Sequence, residues 1–361
     1  MRPRLSHSVS ACSRGCRLND RQPVLSRVEN RQNNPLIVRQ NVLNCEVSRL
    51  TENSLETVAS GLIRLSGEDR VRRNVDMKPY TTMRVGGTVS VFVEISGALE
   101  LSAILRFLHG EGVPHAVIGN GSNLIVADEG YEGVLLHLSS GLSRVTVLPD
   151  GLEAEAGALL SGVSRVAWEN SFAGLEFASG IPGSLGGAVA MNAGAYGREI
   201  KDVVVTTTCL DAKGETIVLK GLEHDFGYRH SRVQTEGLVA VSARLRLQQG
   251  DPDAIRAEMR ELAGRRADKQ PLHLPSSGST FKRPVGYFSG KLIEDCGLKG
   301  LRVGGAQVSE KHAGFVVNTG GATAEDVVNL VGLIRETVRR ETGVTLEPEV
   351  KLLKGDSLCS F

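Results

Sequence analysis

Aromatic residues make up only 4% of the 361 residues, and there is a single tryptophan. Proteins that grip polysaccharide do so by laying rings against sugar faces, so a Gly-rich carbohydrate-binding β protein is a poor reading of this chain. No apolar run approaches the roughly 20 residues that span a bilayer, which argues against membrane insertion. A net charge of +1 gives no general attraction for a nucleic-acid backbone. The six cysteines (Cys12, Cys16, Cys45, Cys209, Cys296 and Cys359) include no Cys-x-x-Cys pair, whereas a zinc site or disulfide framework needs denser spacing. No metal site is therefore expected, and scattered reduced thiols fit a cytoplasmic protein. Lysine is missing from the first fifty residues, which carry nine arginines and three acids. Arg, Ser, Asn and Gln dominate there without sustained periodicity, so residues 1–55 are expected to form a disordered extension. An Arg-rich, acid-poor start also has the composition of an organellar transit peptide, or of an extension upstream of the natural start.

What is present is an ordinary globular chain of 38.6 kDa, 41% hydrophobic and 23% charged, long enough for two or three domains. From Pro79 the pattern is β-rich with glycine punctuation. Residues 88–95 alternate as a strand, 98–109 read as an amphipathic helix, and 115–128 read as strand, Gly turn and strand. Short β segments continue through GVLLHL, SRVTVLP and GLEAEAG, and a helix is expected over 158–170. More strands run to residue 246. At Asp251 the character changes: 253–268 and 289–296 read as helices, and 314–318 as a strand. The last helix has Thr323 as N-cap and Glu325 and Asp326 in its first turn. Val327, Leu330, Val331, Ile334 and Val338 form its apolar face, and Gly343 stops it. A closing strand is expected over 345–353. The fold class is α+β, with domains at 79–248 and 251–354.

Two stretches carry candidate chemistry. Gly119-Asn120-Gly121-Ser122-Asn123 joins two expected strands; its glycines permit positive φ and close approach of backbone N–H groups to an anion. It lacks the third glycine and the following helix of a dinucleotide fingerprint. The second stretch, 174–197, is Gly-rich, with Ser179, Ser184 and Asn192 interspersed. Two such loops in one chain suit an extended ligand with a diphosphate at its middle.

Six segments then occur in a telling order: PYTTMRVGG (79–87), GNGSNLIVAD (119–128), GIPGSLGGAVAMNAGAYG (180–197), GYRHS (227–231), PSSGSTFKRP (275–284) and LEPEVK (346–351). Over about residues 60–354 the chain resembles the UDP-N-acetylenolpyruvoylglucosamine reductases. The short interval between Arg229 and Ser279 resembles the subclass that lacks a long tyrosine-bearing loop. The resemblance implies a vanillyl-alcohol-oxidase-type (PCMH-type) FAD-binding domain followed by a smaller α+β substrate-binding domain. It also implies noncovalent FAD, NADPH as hydride donor, and UDP-N-acetylglucosamine enolpyruvate as the small-molecule substrate, in peptidoglycan precursor synthesis. No obligatory protein partner is implied.

By the same resemblance, Arg229, Ser279 and Glu349 are the catalytic residues. Ser279 is the proton donor to the enolate left by hydride addition; Arg229 and Glu349 lie near that developing charge. Glu347 is the less favoured alternative to Glu349. FAD contacts are expected from Gly119, Asn120, Gly121, Ser122 and Asn123, and from Ser179, Ile181, Pro182, Gly183, Ser184 and Gly187. Further FAD contacts are expected from Asn192, Gly194, Ala195 and Arg266. Tyr228, Lys269 and Lys282 are expected at the substrate, Lys351 near flavin or substrate, and Arg283 has no assigned role. Singly, each is commonplace: a Gly turn, a surface arginine, a turn-forming serine. The competing readings are another FAD-dependent oxidase or dehydrogenase on the same fold, and a catalytically idle flavin- or nucleotide-sugar-binding module. Neither explains the intact Arg, Ser and Glu set.

Overall fold

The computed structural model describes residues 52–360; most of the expected disordered extension lies outside them. Folding begins earlier than the sequence suggested. Leu55, Val58, Ala59 and Leu62 recur at helical spacing, and helix α1 spans Glu52–Ser66. Val58, Ala59 and Leu62 are buried, so residues 52–55 belong to an ordered helix and not to a disordered tail. Helix α2, Ala98–Gly110, lies against it at a point where only glycine fits. A Cβ on Gly61 would stand 2.3 Å from the Phe107 ring.

The first sheet contains β1 (Val71–Asp76), β2 (Thr88–Ile95), β3 (His115–Ile118) and β4 (Leu124–Leu138), with the late strands Lys351–Gly355 and Ser357–Ser360. β4 is its spine, taking β2, β3 and Lys351–Gly355 in parallel. The sequence suggested two strands where β4 runs as one of 15 residues. Val89 faces Tyr131 and Val91 faces Val134, so β4 absorbs one extra residue in a bulge. Gly130, at φ 89, and Gly133 sit in that segment, which is why it reads as a turn.

The second sheet is wholly antiparallel. Its order is Thr216–Lys220, Val204–Leu210, Val239–Arg246, β6 (Gly151–Glu155) and β5 (Val145–Leu148). Helices α3 (Leu160–Glu169) and α4 (Leu185–Ala190) share one hydrophobic core with α2, β4 and this sheet. α4 was not anticipated, because the glycines around it read as loop. Its first N–H groups are satisfied from outside: Leu185 donates to Ala158 O and Gly186 to Ala156 O, each at 2.8 Å.

After the short α5 (Arg232–Thr235), the C-terminal part comprises α6 (Pro252–Lys269), α7 (Ser289–Asp295) and α8 (Ala324–Thr342). They accompany a three-stranded antiparallel sheet of Arg302–Val303, Ala306–Val308 and Val316–Asn318. α8 is capped as its sequence requires. Thr323 Oγ1 accepts from Asp326 N at 3.0 Å, the Asp326 carboxylate accepts from Thr323 N, and Gly343 terminates at φ 74. Its apolar face packs with Met83, Val85, Ile125 and Ala127 from the first half of the chain. The expected strand over 345–353 begins only at Lys351. Residues 347–349 pair instead with 280–282, Phe281 bridging Pro348.

Candidate active site

Two loops approach each other between the sheets. The 119–123 turn connects β3 to β4, and 180–184 leads into α4. Position 119 has no room for a side chain beside Ser184: a Cβ on Gly119 would lie 2.0 Å from Ser184 Oγ. Gly121, at φ 59, would place a Cβ 1.9 Å from Tyr80 O, so the PYTTMRVGG segment backs the turn. Asn120 Nδ2 donates to Pro182 O at 2.6 Å, locking one loop to the other. Gly183 O accepts from Leu160 N, and Ser179 Oγ donates to Glu176 O at 2.8 Å. Ile181 packs on the main core, and Ala195 pairs with Arg198 in a two-residue ladder. Arg266, on α6, lies against Gly180, whose Cβ would meet Arg266 Cδ at 3.1 Å. Burial lowers the Arg266 pKa, opposed by the Tyr196 phenol.

Beyond these loops, Gly227 and His230 form a tight hairpin that presents Arg229 at φ 53, a conformation a non-glycine residue adopts only when its surroundings enforce it. Arg229 Nε donates to Glu349 Oε1 at 2.6 Å, and Nη2 to Gly194 O at 3.4 Å. The two side chains are 18% and 14% exposed. Burial raises the Glu349 pKa, and Arg229 and Lys282 oppose the shift. Glu349 is fixed at its backbone, where its N–H donates to Thr280 O at 2.9 Å. Ser279 immediately precedes Thr280 and is exposed, after Gly278 at φ 77. Glu347 behaves differently: it is exposed and ion-paired with Lys282.

Residues 89–220 match a family model described as an FAD binding domain. Residues 270–353 match one described as UDP-N-acetylenolpyruvoylglucosamine reductase, C-terminal domain. The chain is 44% identical over 295 residues to the UDP-N-acetylenolpyruvoylglucosamine reductase of Clostridioides difficile, spanning 82% of this chain and 97% of that one. With the Agathobacter rectalis enzyme of that name it shares 49% over 289 residues, 77% of this chain and 92% of the other. The chain belongs to the UDP-N-acetylenolpyruvoylglucosamine reductase family. The crystal structure of UDP-N-acetylenolpyruvylglucosamine reductase from Thermus caldophilus superposes with a TM-score of 0.68 at 35% identity, covering 78% of this chain and 98% of that one. These matches set aside the alternative of another oxidase or dehydrogenase on the same fold.

FAD, the cofactor of this reductase family, fits the residues present. A cavity of about 130 Å³ lies behind Gly119, Ser184, Gly186 and Gly187, with apolar walls from Val117, Ile118, Leu138 and Val239. Gly119 and Gly187 carry no side chain that would bar a phosphate from the backbone, and Ser184 Oγ makes no capping bond on α4. Asn192, however, is not free to reach a ligand with its side chain. It is fully buried; Nδ2 donates to Gly227 O at 2.8 Å and Glu199 Oε2 at 3.0 Å, and Oδ1 accepts from Lys201 N at 3.1 Å. Asn123 is also turned to the protein, its Nδ2 donating to Glu349 O at 3.1 Å. Tyr228 is half exposed, accepts from Arg283 N at 3.0 Å, and has the Arg229 guanidinium 5.2 Å from its ring centroid. Lys269 is exposed at the end of α6, and Lys351 N donates to Asn123 O at 3.1 Å.

The sequence reading missed two links in this reductase. Asp128 accepts from Ala324 N at 2.9 Å and Glu325 N at 2.8 Å; Asn318 Nδ2 donates to Met83 O at 3.2 Å. Both tie the FAD-binding motifs to the C-terminal part. Asp128 ends a recognised motif, but nothing in the sequence points it at a helix 196 residues away.

Proposed function

We propose that this chain reduces UDP-N-acetylglucosamine enolpyruvate to UDP-N-acetylmuramate with NADPH, a step of peptidoglycan precursor synthesis in the cytoplasm. The observation that carries this reading is the half-buried Arg229–Glu349 pair, with its 2.6 Å contact, beside the two Gly-rich loops. FAD, when bound, carries hydride from NADPH to the terminal vinyl carbon of the substrate.

The chain's own residues deal with what that transfer leaves: negative charge spread toward the carboxylate, and a carbon that lacks a proton. Arg229 meets the charge. Its Nε is committed to Glu349, while Nη1 makes no hydrogen bond among the described residues and can donate to a carboxylate or enolate oxygen. Glu349, its pKa raised by burial, holds a proton more readily than an exposed glutamate and can share it with the same oxygens. Ser279, exposed one residue before the pairing that carries Glu349, delivers the proton to the carbon next to the carboxylate and recovers its own from solvent. Tyr228, Lys269 and Lys282 bind and orient the phosphates and carboxylate, which requires Lys282 to exchange its partner Glu347. The cradle residues 119–122 and 179–195, with Arg266, hold FAD, while the side chains of Asn123 and Asn192 are spent on protein partners.

The test is anaerobic NADPH oxidation by the flavin-loaded protein, with and without UDP-N-acetylglucosamine enolpyruvate. Oxidation that depends on this substrate and yields UDP-N-acetylmuramate supports the proposal. Turnover indifferent to it would refute the proposal.

A further inference from the structure

The two Gly-rich segments reach the Arg229–Glu349 pair through asparagine amides, one at Glu349 itself and the other at the hairpin that carries Arg229. Asn123 closes the 119–123 turn. Its Nδ2 donates to the carbonyl of Glu349 at 3.1 Å, across 226 residues of sequence. Its own carbonyl accepts from Lys351 N at 3.1 Å, so the backbone around Glu349 is gripped on both sides. Asn192 follows α4, the helix into which the other loop leads. Its Nδ2 donates to Gly227 O at 2.8 Å, at the base of the hairpin that presents Arg229. The far side of that hairpin is held by Ser231 Oγ, which donates to Ala190 O at 2.7 Å. The circuit closes at Arg229 Nε and Glu349 Oε1.

We infer that Asn123 and Asn192 are positioning residues: they tie the cofactor loops to the Arg229–Glu349 pair and set where that pair stands. The inference rests on the function proposed above. An asparagine that only completes its own loop bonds within a few residues, whereas these amides reach backbone carbonyls of other elements. The carbonyl held by Asn123 belongs to Glu349 itself, so its displacement moves the carboxyl directly. Asn192 is at φ 41 and spends both Nδ2 donors and its Oδ1 on two segments, residues 199–201 and Gly227. Ångström-scale misplacement of a positioned group slows chemistry by about a hundredfold.

The experiment uses flavin-loaded Asn123→Ser and Asn192→Gly; glycine keeps the backbone free to hold positive φ. Flavin affinity is read by fluorescence, and each half-reaction by anaerobic stopped flow. We expect flavin to stay bound and reduction by NADPH to remain within about twofold of the unmodified protein. Reoxidation by UDP-N-acetylglucosamine enolpyruvate should slow by about tenfold to a hundredfold. In a Glu349→Gln background Asn123→Ser should cost little more, and in an Arg229→Ala background Asn192→Gly should cost little more, because the group each positions is already gone. Fully additive effects, equal slowing of both half-reactions, or loss of flavin in both variants would overturn the inference. An unmodified protein that the substrate never reoxidises would instead remove the functional reading on which it rests.

Discussion

Replacing Arg229 with alanine isolates the energetics on which the site depends. The substitution leaves Glu349 buried without its cation. A hydrogen bond to a charged group contributes about 1.5–3 kcal/mol, and breaking a fully buried pair costs about 3–5 kcal/mol. The two side chains keep 18% and 14% exposure, which places the expected loss at about 2 kcal/mol near neutral pH. The loss should depend on pH with a definite sign. Burial holds the folded-state pKa of Glu349 above its unfolded value, so the folded protein binds that proton more tightly. The resulting stabilisation is complete below the unfolded pKa and disappears as pH rises through the folded pKa. Arg229 is the largest influence opposing the shift, so its removal moves the folded pKa further up. Over about pH 4 to 8 the variant should therefore differ more from the parent at the alkaline end than at the acid end, where the carboxyl is more nearly protonated in both. Urea unfolding of the flavin-loaded proteins across that range measures the difference. An equal deficit at both ends, or none at either, would refute the reasoning.

Ser279→Ala should leave flavin reduction by NADPH nearly intact and slow protonation of the enolate by about a hundredfold or more; stopped-flow rates that fall equally in both half-reactions would remove the assigned role. Gly119→Ala puts a Cβ 2.0 Å from Ser184 Oγ and should weaken FAD binding by about 1–3 kcal/mol, seen as a rise in Kd on titrating the apoprotein. Asp128→Ala strips Ala324 N and Glu325 N of their acceptor and should destabilise the fold by about 1–2 kcal/mol in urea, while unchanged stability would show that link to be idle.

Elements whose cause is local were legible in the sequence. β2 announces itself by alternation, and α8 by its cap, its acidic first turn and its stop glycine. Elements decided by distant partners were not. β4 continues through Gly130 and Gly133 only because β2 and β3 pair alongside it, and glycines in a strand read as a turn. The strand at Lys351 is cut short because residues 347–349 are claimed by 280–282. α1 went unread because it follows directly on the Arg- and Ser-rich start. At the site, Arg229, Ser279 and Glu349 were singled out by resemblance alone; no spacing rule brings residues 120 apart to 2.6 Å. Asn123 and Asn192 show the limit most clearly. An asparagine amide serves a ligand phosphate or a backbone carbonyl equally well, and only the fold shows which lies within reach.

The most direct test is a single turnover: flavin reduced in the protein, then mixed anaerobically with UDP-N-acetylglucosamine enolpyruvate. The account predicts that the flavin reoxidises without oxygen and that a product two hydrogens heavier than the substrate appears in step with it. A flavin that stays reduced until oxygen is admitted would contradict the account and reopen the oxidase reading.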